Sequence, residues 1–124
     1  MNIYLSHSSH YDYKKKLYQP LEESGLLQEF DFILPHKNSD EPFDVKGALE
    51  RGEIDFVIAE ISYPSAGQGI ELAWANALGI PIECIYMEDS FISPSLRILT
   101  DKFFDYETDE EMIEAMKIVL IGHA

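Results

Sequence analysis

The chain has 124 residues, of which 46% are hydrophobic and 26% are charged. This composition is typical of one globular domain and not of a disordered or fibrous chain. Nine Lys and Arg against 23 Asp and Glu give a formal net charge of -14, which excludes a basic surface for duplex nucleic acid and disfavours an anionic membrane. No apolar run has the length of a membrane span, and we expect no secretory leader. With Cys84 as the single cysteine, we expect no internal disulfide and a reduced, cytoplasmic protein.

Short apolar runs rich in β-branched residues alternate with helical patterns along the chain. The runs predict strands at residues 2–5, 31–34, 55–59, 81–86 and 102–104. Helical spacing and capping residues predict helices at 11–24, 44–51, 69–78 and 109–120, with a helical turn at 96–99. Pro20 lies inside the first helix and predicts a kink or a break, because proline has no backbone donor.

This alternation is typical of a three-layer αβα domain, flavodoxin-like or Rossmann-like, with a five-stranded, mainly parallel sheet. We expect residues 1–124 to form one such domain. Ligands bind to these folds beyond the carboxyl ends of the strands, where the strand order reverses. Four predicted loops lie there, at residues 6–10, 35–43, 60–68 and 87–95.

The segment 55–79 carries the most specific pattern. A buried strand is followed by Ser65, Gly67 and Gly69, and Glu71 then lies in the first turn of a helix. Glycines and free backbone N–H groups make a cradle for a phosphate or a sugar hydroxyl, although the same residues also form ordinary tight turns. Glu71 either complements the helix dipole or serves as a nucleophile on a sugar carbon.

The run VIAEISYPSAGQGIELAWANALGIPI, residues 57–82, resembles the signature of the nucleoside 2-deoxyribosyltransferase family. It is most similar to the branch that contains the 2'-deoxynucleoside 5'-phosphate N-hydrolases. Residues 3–5 and 93–106 resemble the first and last strand regions of that family. The positions that match the signature are Ala59, Glu60, Pro64, Ser65, Gly67, Gly69, Glu71 and Leu72.

The resemblance implies that the protein cleaves or transfers the N-glycosidic bond of a (deoxy)nucleoside or its 5'-monophosphate. Glu71 matches the residue that forms a covalent glycosyl intermediate, and Tyr4 matches a tyrosine beside it. Ser65 matches the serine at the 5' end of the substrate. An acid that assists the leaving base corresponds best to Asp44, with Asp55 as the alternative, and Asp44 is equally explained as a helix cap.

The resemblance also implies a homodimer or a larger homo-oligomer, because a serine from a neighbouring subunit enters the site in this family. Ser93 and Ser95 are the two candidates for that serine. No cofactor is implied. The four histidines show no metal-ligand spacing, so we expect no metal site.

The loop after the first strand departs from the family pattern. Phosphate-binding relatives have a Gly- and Arg-rich loop there, whereas this chain has Ser6, His7, Ser8, Ser9 and His10. Hydroxyls and imidazoles bind phosphate or sugar without the bidentate contact of arginine. We therefore expect Ser6, Ser8, Ser9, His10 and His36 to bind substrate, and a neutral nucleoside to suit the charge better than a monophosphate.

Two other functions are compatible with the same sequence. A non-catalytic module for nucleosides or nucleotides would keep the pocket and lack turnover. The opening residues 3–9, IYLSHSS, resemble those of TIR domains, which act in protein interaction or NAD cleavage. Fold class alone does not determine function. The run at 57–82 is more specific than the fold, and it favours the N-glycosidase interpretation over both alternatives.

Overall fold

The computed structural model describes residues 1–37 and 42–123. They contain a five-stranded sheet in the order β2-β1-β3-β4-β5, and every neighbouring pair is parallel. The predicted α/β class is confirmed, and each strand lies within two residues of its predicted bounds. The strands are β1 (Asn2–His7), β2 (Asp31–Ile33), β3 (Phe56–Glu60), β4 (Ile82–Met87) and β5 (Phe103–Tyr106).

The first helical region is divided, as Pro20 predicts. A π-helical turn, Lys14–Tyr18, passes directly into α1 (Gln19–Glu23), and Pro20 occupies the first turn of α1. Gly25, with a φ of 83°, ends this region and precedes the unpredicted α2 (Leu26–Glu29). The other helices are α3 (Val45–Glu50), α4 (Ala66–Ala77), α5 (Leu96–Leu99) and α6 (Asp109–Ile121). No helix in the described ranges has the length and apolarity to cross a bilayer.

The sheet separates two apolar layers because successive strand residues point to opposite faces. Ile3 and Leu5 of β1 pack with α1, α2 and α6 on one face. Tyr4 of β1 and Val57 of β3 pack with α3 and α4 on the other. The result is the predicted three-layer arrangement, with the β3–α4 connection emerging at the carboxyl edge of the sheet.

Helix α4 begins three residues before the predicted start, because Ser65 is its N-cap and accepts a hydrogen bond from the Gln68 backbone N–H at 3.3 Å. Leu72 and Ala75 form its buried side. Ile70, Ala73, Trp74 and Ala77 share another face of α4, and that face is exposed. Trp74 is 38% exposed and is not a core residue.

Candidate functional site

Glu71 lies in the first half of α4, beside β1. Tyr4 and Ser6, two residues apart on β1, point to the α4 side of the sheet. The Tyr4 hydroxyl donates a hydrogen bond to Glu71 Oε2 at 3.2 Å, and the Ser6 hydroxyl donates to the same oxygen at 3.1 Å. The next two strands in the chain, β2 and β3, lie on opposite sides of β1. Glu71 therefore lies at the point where the strand order reverses, the position at which such sheets bind ligands.

The surroundings of Glu71 act on its charge in opposite directions. Burial raises the pKa of its carboxyl group, and the hydrogen bonds from Ser6 and Tyr4 lower it in part. Burial and the negative charge of Glu71 raise the pKa of Tyr4, so its hydroxyl keeps its proton and remains a donor. Both hydroxyls bind Oε2. Oε1 is thus the Glu71 oxygen to which the described residues donate no hydrogen bond.

A cavity of about 410 Å³ opens beside Glu71, and we call it the Glu71 cavity. This volume is in the range of small-molecule sites. One wall is aromatic, since the Phe43 ring stacks on the Tyr4 ring with centroids 5.7 Å apart. Among the described residues that line it there is no lysine or arginine. The lining residues are Ser9, Tyr13, His36, Pro42, Phe43 and Glu71.

A chain of hydrogen bonds joins the end of β1 to the segment after β2. His7 Nδ1 lies 2.9 Å from the Ser8 carbonyl oxygen, which can only accept, so Nδ1 carries the proton. Nε2 then accepts from the Tyr18 hydroxyl at 2.6 Å, and the Tyr18 oxygen accepts from the His36 backbone N–H at 3.2 Å. Burial lowers the pKa of His7 to about 4. His7 is therefore a neutral structural link at neutral pH.

A second network fixes the start of α4 to the sheet. Glu60, at the end of β3, is 1% exposed. Its carboxylate accepts from the Ser62 backbone N–H at 2.6 Å, from the Ser62 hydroxyl at 2.8 Å and from the Tyr106 hydroxyl. The Gln68 side-chain amide donates to the Glu60 carbonyl oxygen at 2.8 Å. Since Gln68 is one helical turn before Glu71, this network sets the position of the helix that carries Glu71.

Several residues predicted to bind substrate lie around a different cavity. Ser65, Gly69, Ser93 and Ser95 line a space of about 510 Å³ between α4 and residues 91–99, which we call the flanking cavity. Gly69 and Ala73 lie on the side of α4 opposite to Glu71. The Ser65 hydroxyl oxygen serves as the N-cap of α4. These residues are therefore not grouped with Glu71 within this chain.

Three further predicted residues line neither cavity. Ser8 is buried, and its hydroxyl oxygen accepts a hydrogen bond from the His10 backbone N–H at 3.0 Å. The His10 side chain is exposed, and Gly67 is exposed in the first turn of α4. Ser8 and His10 thus shape the loop after β1 and hold Ser9, which does line the Glu71 cavity.

The two acids predicted to assist the leaving base are both engaged elsewhere. Asp44 Oδ1 accepts from the Gly47 backbone N–H at 2.9 Å, and its Oδ2 lies 3.8 Å from an Arg51 nitrogen. Asp44 is therefore the N-cap of α3, as its alternative interpretation holds. Asp55 Oδ2 accepts from the Asn2 backbone N–H at 2.7 Å. It lies at the amino edge of the sheet, opposite to the edge of Glu71.

Sequence reasoning missed three residues of the Glu71 cavity, namely Tyr13, Pro42 and Phe43. Tyr13 was predicted only as part of the helix at 11–24. Pro42 and Phe43 were included only in the loop 35–43. The one sequence signal for this wall was that Tyr13 and Phe43, both aromatic, lie next to or within loops at the carboxyl edge of the sheet. Within residues 1–37 and 42–123, no three His, Cys, Asp or Glu side chains are grouped as metal ligands.

No protein-family model matches the chain. In sequence it is similar to a protein of Thermofilum pendens named putative 2'-deoxynucleoside 5'-phosphate N-hydrolase 1. The two are 29% identical over 87% of this chain and 83% of the relative. It is also similar to the 5-hydroxymethyl-dUMP N-hydrolase of Mus musculus, with 38% identity over 52% of this chain and 39% of the mouse protein. The predicted resemblance to these N-hydrolases is confirmed.

Solved structures share the fold at lower identity. The Clostridium botulinum CMP N-glycosidase superposes with a TM-score of 0.63 and 22% identity, over 94% of this chain and 99% of that one. A 2-deoxyribosyltransferase from Bacillus psychrosaccharolyticus superposes with a TM-score of 0.62 and 18% identity, over 90% of each chain. These similarities show that the fold is that of the deoxyribosyltransferases and related glycosidases.

Replacing Glu71 by Gln should make the protein more stable at neutral pH. Burial disfavours the ionised carboxyl group, so the raised pKa of Glu71 costs stability as the pH rises above the usual pKa of a glutamate, and the cost is complete above the raised pKa. Below the usual pKa of a glutamate, Glu71 is neutral in the folded and in the unfolded protein, as a glutamine is. The stability advantage of the variant should therefore disappear there. Urea unfolding at pH 4 and pH 7.5 measures the difference.

The control is Glu110→Gln, which removes the same charge from an exposed position on α6. Its comparison with Glu71→Gln isolates the effect of burial. A Glu71→Gln protein that is less stable than the wild type at pH 7.5 would contradict this account of the carboxyl group.

Proposed function

We propose that this protein cleaves or transfers the N-glycosidic bond of a nucleoside, with Glu71 as the nucleophile. The observation that carries the proposal is the placement of Glu71. One of its oxygens is held by Tyr4 and Ser6, its other oxygen accepts no hydrogen bond from the described residues, and Glu71 lines a cavity of about 410 Å³. The sequence similarity to N-hydrolases covers most of the chain and supports the same reaction class.

The chemistry follows from the position of the charge. Cleavage of an N-glycosidic bond develops positive charge on the sugar ring, and a carboxylate in a water-poor cavity stabilises that charge. In the proposed reaction Glu71 Oε1 bonds to the anomeric carbon and the base leaves. Water, or a second base, then releases the sugar from Glu71. Tyr4 and Ser6 keep the carboxylate in one orientation throughout, which lowers the entropic cost of attack.

A neutral nucleoside fits the cavity better than a 5'-monophosphate. The described residues that line it supply hydroxyls, an imidazole and aromatic rings, which suit a sugar and a base. Lys37, next to His36 in sequence, lies 3.9 Å from Glu22 and does not line the cavity. The net charge of -14 adds a long-range repulsion for anions. We expect this reaction in the cytoplasm, where the single Cys84 stays reduced.

The Glu71→Gln variant should lose base release from nucleosides by at least about a thousandfold, because an amide is no nucleophile. Chromatography of 2'-deoxynucleosides, ribonucleosides, their 5'-monophosphates and NAD, each with and without an acceptor base, measures the release. Dependence on the acceptor distinguishes transfer from hydrolysis. Glu110→Gln should retain full activity.

Two outcomes would refute the proposed reaction. If Glu71→Gln releases base as fast as the wild type, Glu71 is not the nucleophile. If no substrate is turned over but nucleosides raise the melting temperature, the protein is a binding module without catalysis. Release from NAD alone would favour the TIR-like activity.

Ser9→Arg should shift the preference toward 5'-monophosphates. Ser9 is exposed and lines the Glu71 cavity, so an arginine there adds the bidentate phosphate donor that the loop after β1 lacks. We expect kcat/KM for the monophosphate, relative to the nucleoside, to rise about tenfold, which corresponds to roughly 1.4 kcal/mol. Gln28→Arg, at an exposed position of α2, is the control for the added charge. An unchanged ratio would show that phosphate recognition does not depend on this loop.

We further propose that two copies of the chain associate through the exposed face of α4. Ile70 is 51% exposed, Trp74 is 38% exposed and Leu78 is 51% exposed. Ala66, Ala73 and Ala77 complete a helix face without charged side chains. In a chain with a net charge of -14, two copies avoid repulsion best where they meet at an uncharged, apolar surface. The same face adjoins Glu71 and the flanking cavity with Ser93 and Ser95.

Ile70→Lys should weaken the dimer by at least about a hundredfold in dissociation constant, since it places a charge in the buried centre of the contact. Sedimentation velocity over a concentration series measures the change. Ile118→Lys is the matched control, because Ile118 is 57% exposed on α6, on the opposite face of the sheet. Equal effects of the two substitutions, or a wild-type protein that is monomeric at all concentrations, would exclude this interface.

A further inference from the structure

Cleavage of an N-glycosidic bond requires a proton for the departing base, and this requirement rests on the function proposed above. A nucleobase that leaves as an anion is a poor leaving group, and a positioned general acid contributes about 10²- to 10⁴-fold in rate. Neither predicted acid is among the described residues that line this cavity: Asp44 caps α3, and Asp55 lies at the amino edge of the sheet. The described part of the cavity wall does contain an imidazole, that of His36.

His36 is the group whose position meets this requirement. It lines the same cavity as Glu71. Its backbone N–H donates to the Tyr18 hydroxyl, and Tyr18 is held in turn by His7 at the end of β1. The His36 ring packs 5.7 Å from the Tyr13 ring. The backbone of His36 is thus held relative to the strand that carries Tyr4 and Ser6, and its ring packs beside Tyr13.

The two ring nitrogens of His36 differ in their surroundings. Nδ1 is shielded from solvent and has no hydrogen-bond partner among the described residues. This leaves Nε2 as the nitrogen that can meet a ligand. The other proton-bearing groups on the described wall, besides Glu71, are the hydroxyls of Ser9 and Tyr13. Hydroxyls are much weaker acids than an imidazolium. The Tyr4 hydroxyl is already bound to Glu71.

The described neighbours of the His36 ring are two rings and one carboxyl group. The Tyr13 ring and the His7 ring each lie 5.7 Å from it, the latter edge-on. His7 is neutral at neutral pH. The carboxyl group is that of Glu71, which lines the same cavity.

We propose that His36 is the general acid that protonates the departing base. As the Glu71 carboxylate bonds to the anomeric carbon, the carbon–nitrogen bond breaks, its electron pair goes to the base and the Nε2 proton of His36 passes to the base. Water then attacks the anomeric carbon and Glu71 leaves as a carboxylate. Neutral His36 accepts the proton from that water. The sum is nucleoside plus water to base plus sugar, with His36 and Glu71 restored.

A comparison of two leaving groups tests this role. One substrate is whichever 2'-deoxynucleoside the wild-type protein cleaves fastest, and the other is 4-nitrophenyl 2-deoxyribofuranoside, whose nitrophenolate departs without a proton. His36→Asn should lower kcat/KM for the nucleoside by about 10²- to 10⁴-fold. For the nitrophenyl substrate the loss should stay below about fivefold, since removing the acid affects only steps that need one.

Three controls make the result interpretable. His36→Gln is a second variant in case His36→Asn does not fold, which its melting curve reveals. His123→Asn removes a histidine at the amino edge of the sheet, where it contacts Glu83 and Phe56, and should leave both substrates unaffected. Glu71→Gln should lose both substrates.

The outcomes separate this proposal from the function on which it rests. Equal losses for the two substrates, or no loss for either, would overturn the role of His36 as the acid while Glu71→Gln still abolishes cleavage. If Glu71→Gln retains cleavage of both substrates, the proposed function itself fails, and the acid role of His36 fails with it.

Discussion

The double hydrogen bond from Tyr4 and Ser6 to one oxygen of Glu71 is the interaction on which the site depends. It requires a strand to present two side chains on the same face, which is a property of every β-strand. It also requires a helix to start close enough to that strand to bring its second turn alongside. The parallel pairing of β1 with β3, followed directly by α4, meets that requirement. A carboxylate that is half removed from water is costly to keep, and the two donors offset part of that cost.

The rest of the carboxyl edge supports this contact from two directions. On the β3 side, Glu60 accepts hydrogen bonds from Ser62 and Tyr106 and so joins the ends of β3 and β5. On the β1 side, the chain through His7 and Tyr18 reaches the segment after β2. Both networks bury polar groups with partners, which is how proteins obtain rigidity without exposing the site to water. The first network holds α4, which carries Glu71, and the second holds His36, which lines the same cavity as Glu71.

Local sequence patterns predicted the five parallel strands, the break at Pro20 and the position of Glu71, because those features depend on periodicity and on residues close together in the chain. The face of α4 was harder to assign. Apolar spacing identifies one side of a helix, but it does not distinguish contact with the sheet from contact with another molecule, and the side with Ile70 and Trp74 is exposed. Tyr13 and Phe43 were missed for a different reason. They come from segments far apart in sequence, and only the strand order brings them to one cavity.

The contacts that position Glu71 are separate from most of the residues that line its cavity. Glu71 is fixed by β1 and by the β3–α4 connection, whereas much of the cavity wall comes from the loop after β1 and the segment after β2. Amino-acid changes in that wall leave the hydrogen bonds of the carboxylate in place. Under the proposed function, descendants of such a chain are therefore able to accept another base or sugar while Glu71 keeps its position. In evolutionary terms, the fold allows specificity to drift while the chemistry stays constant.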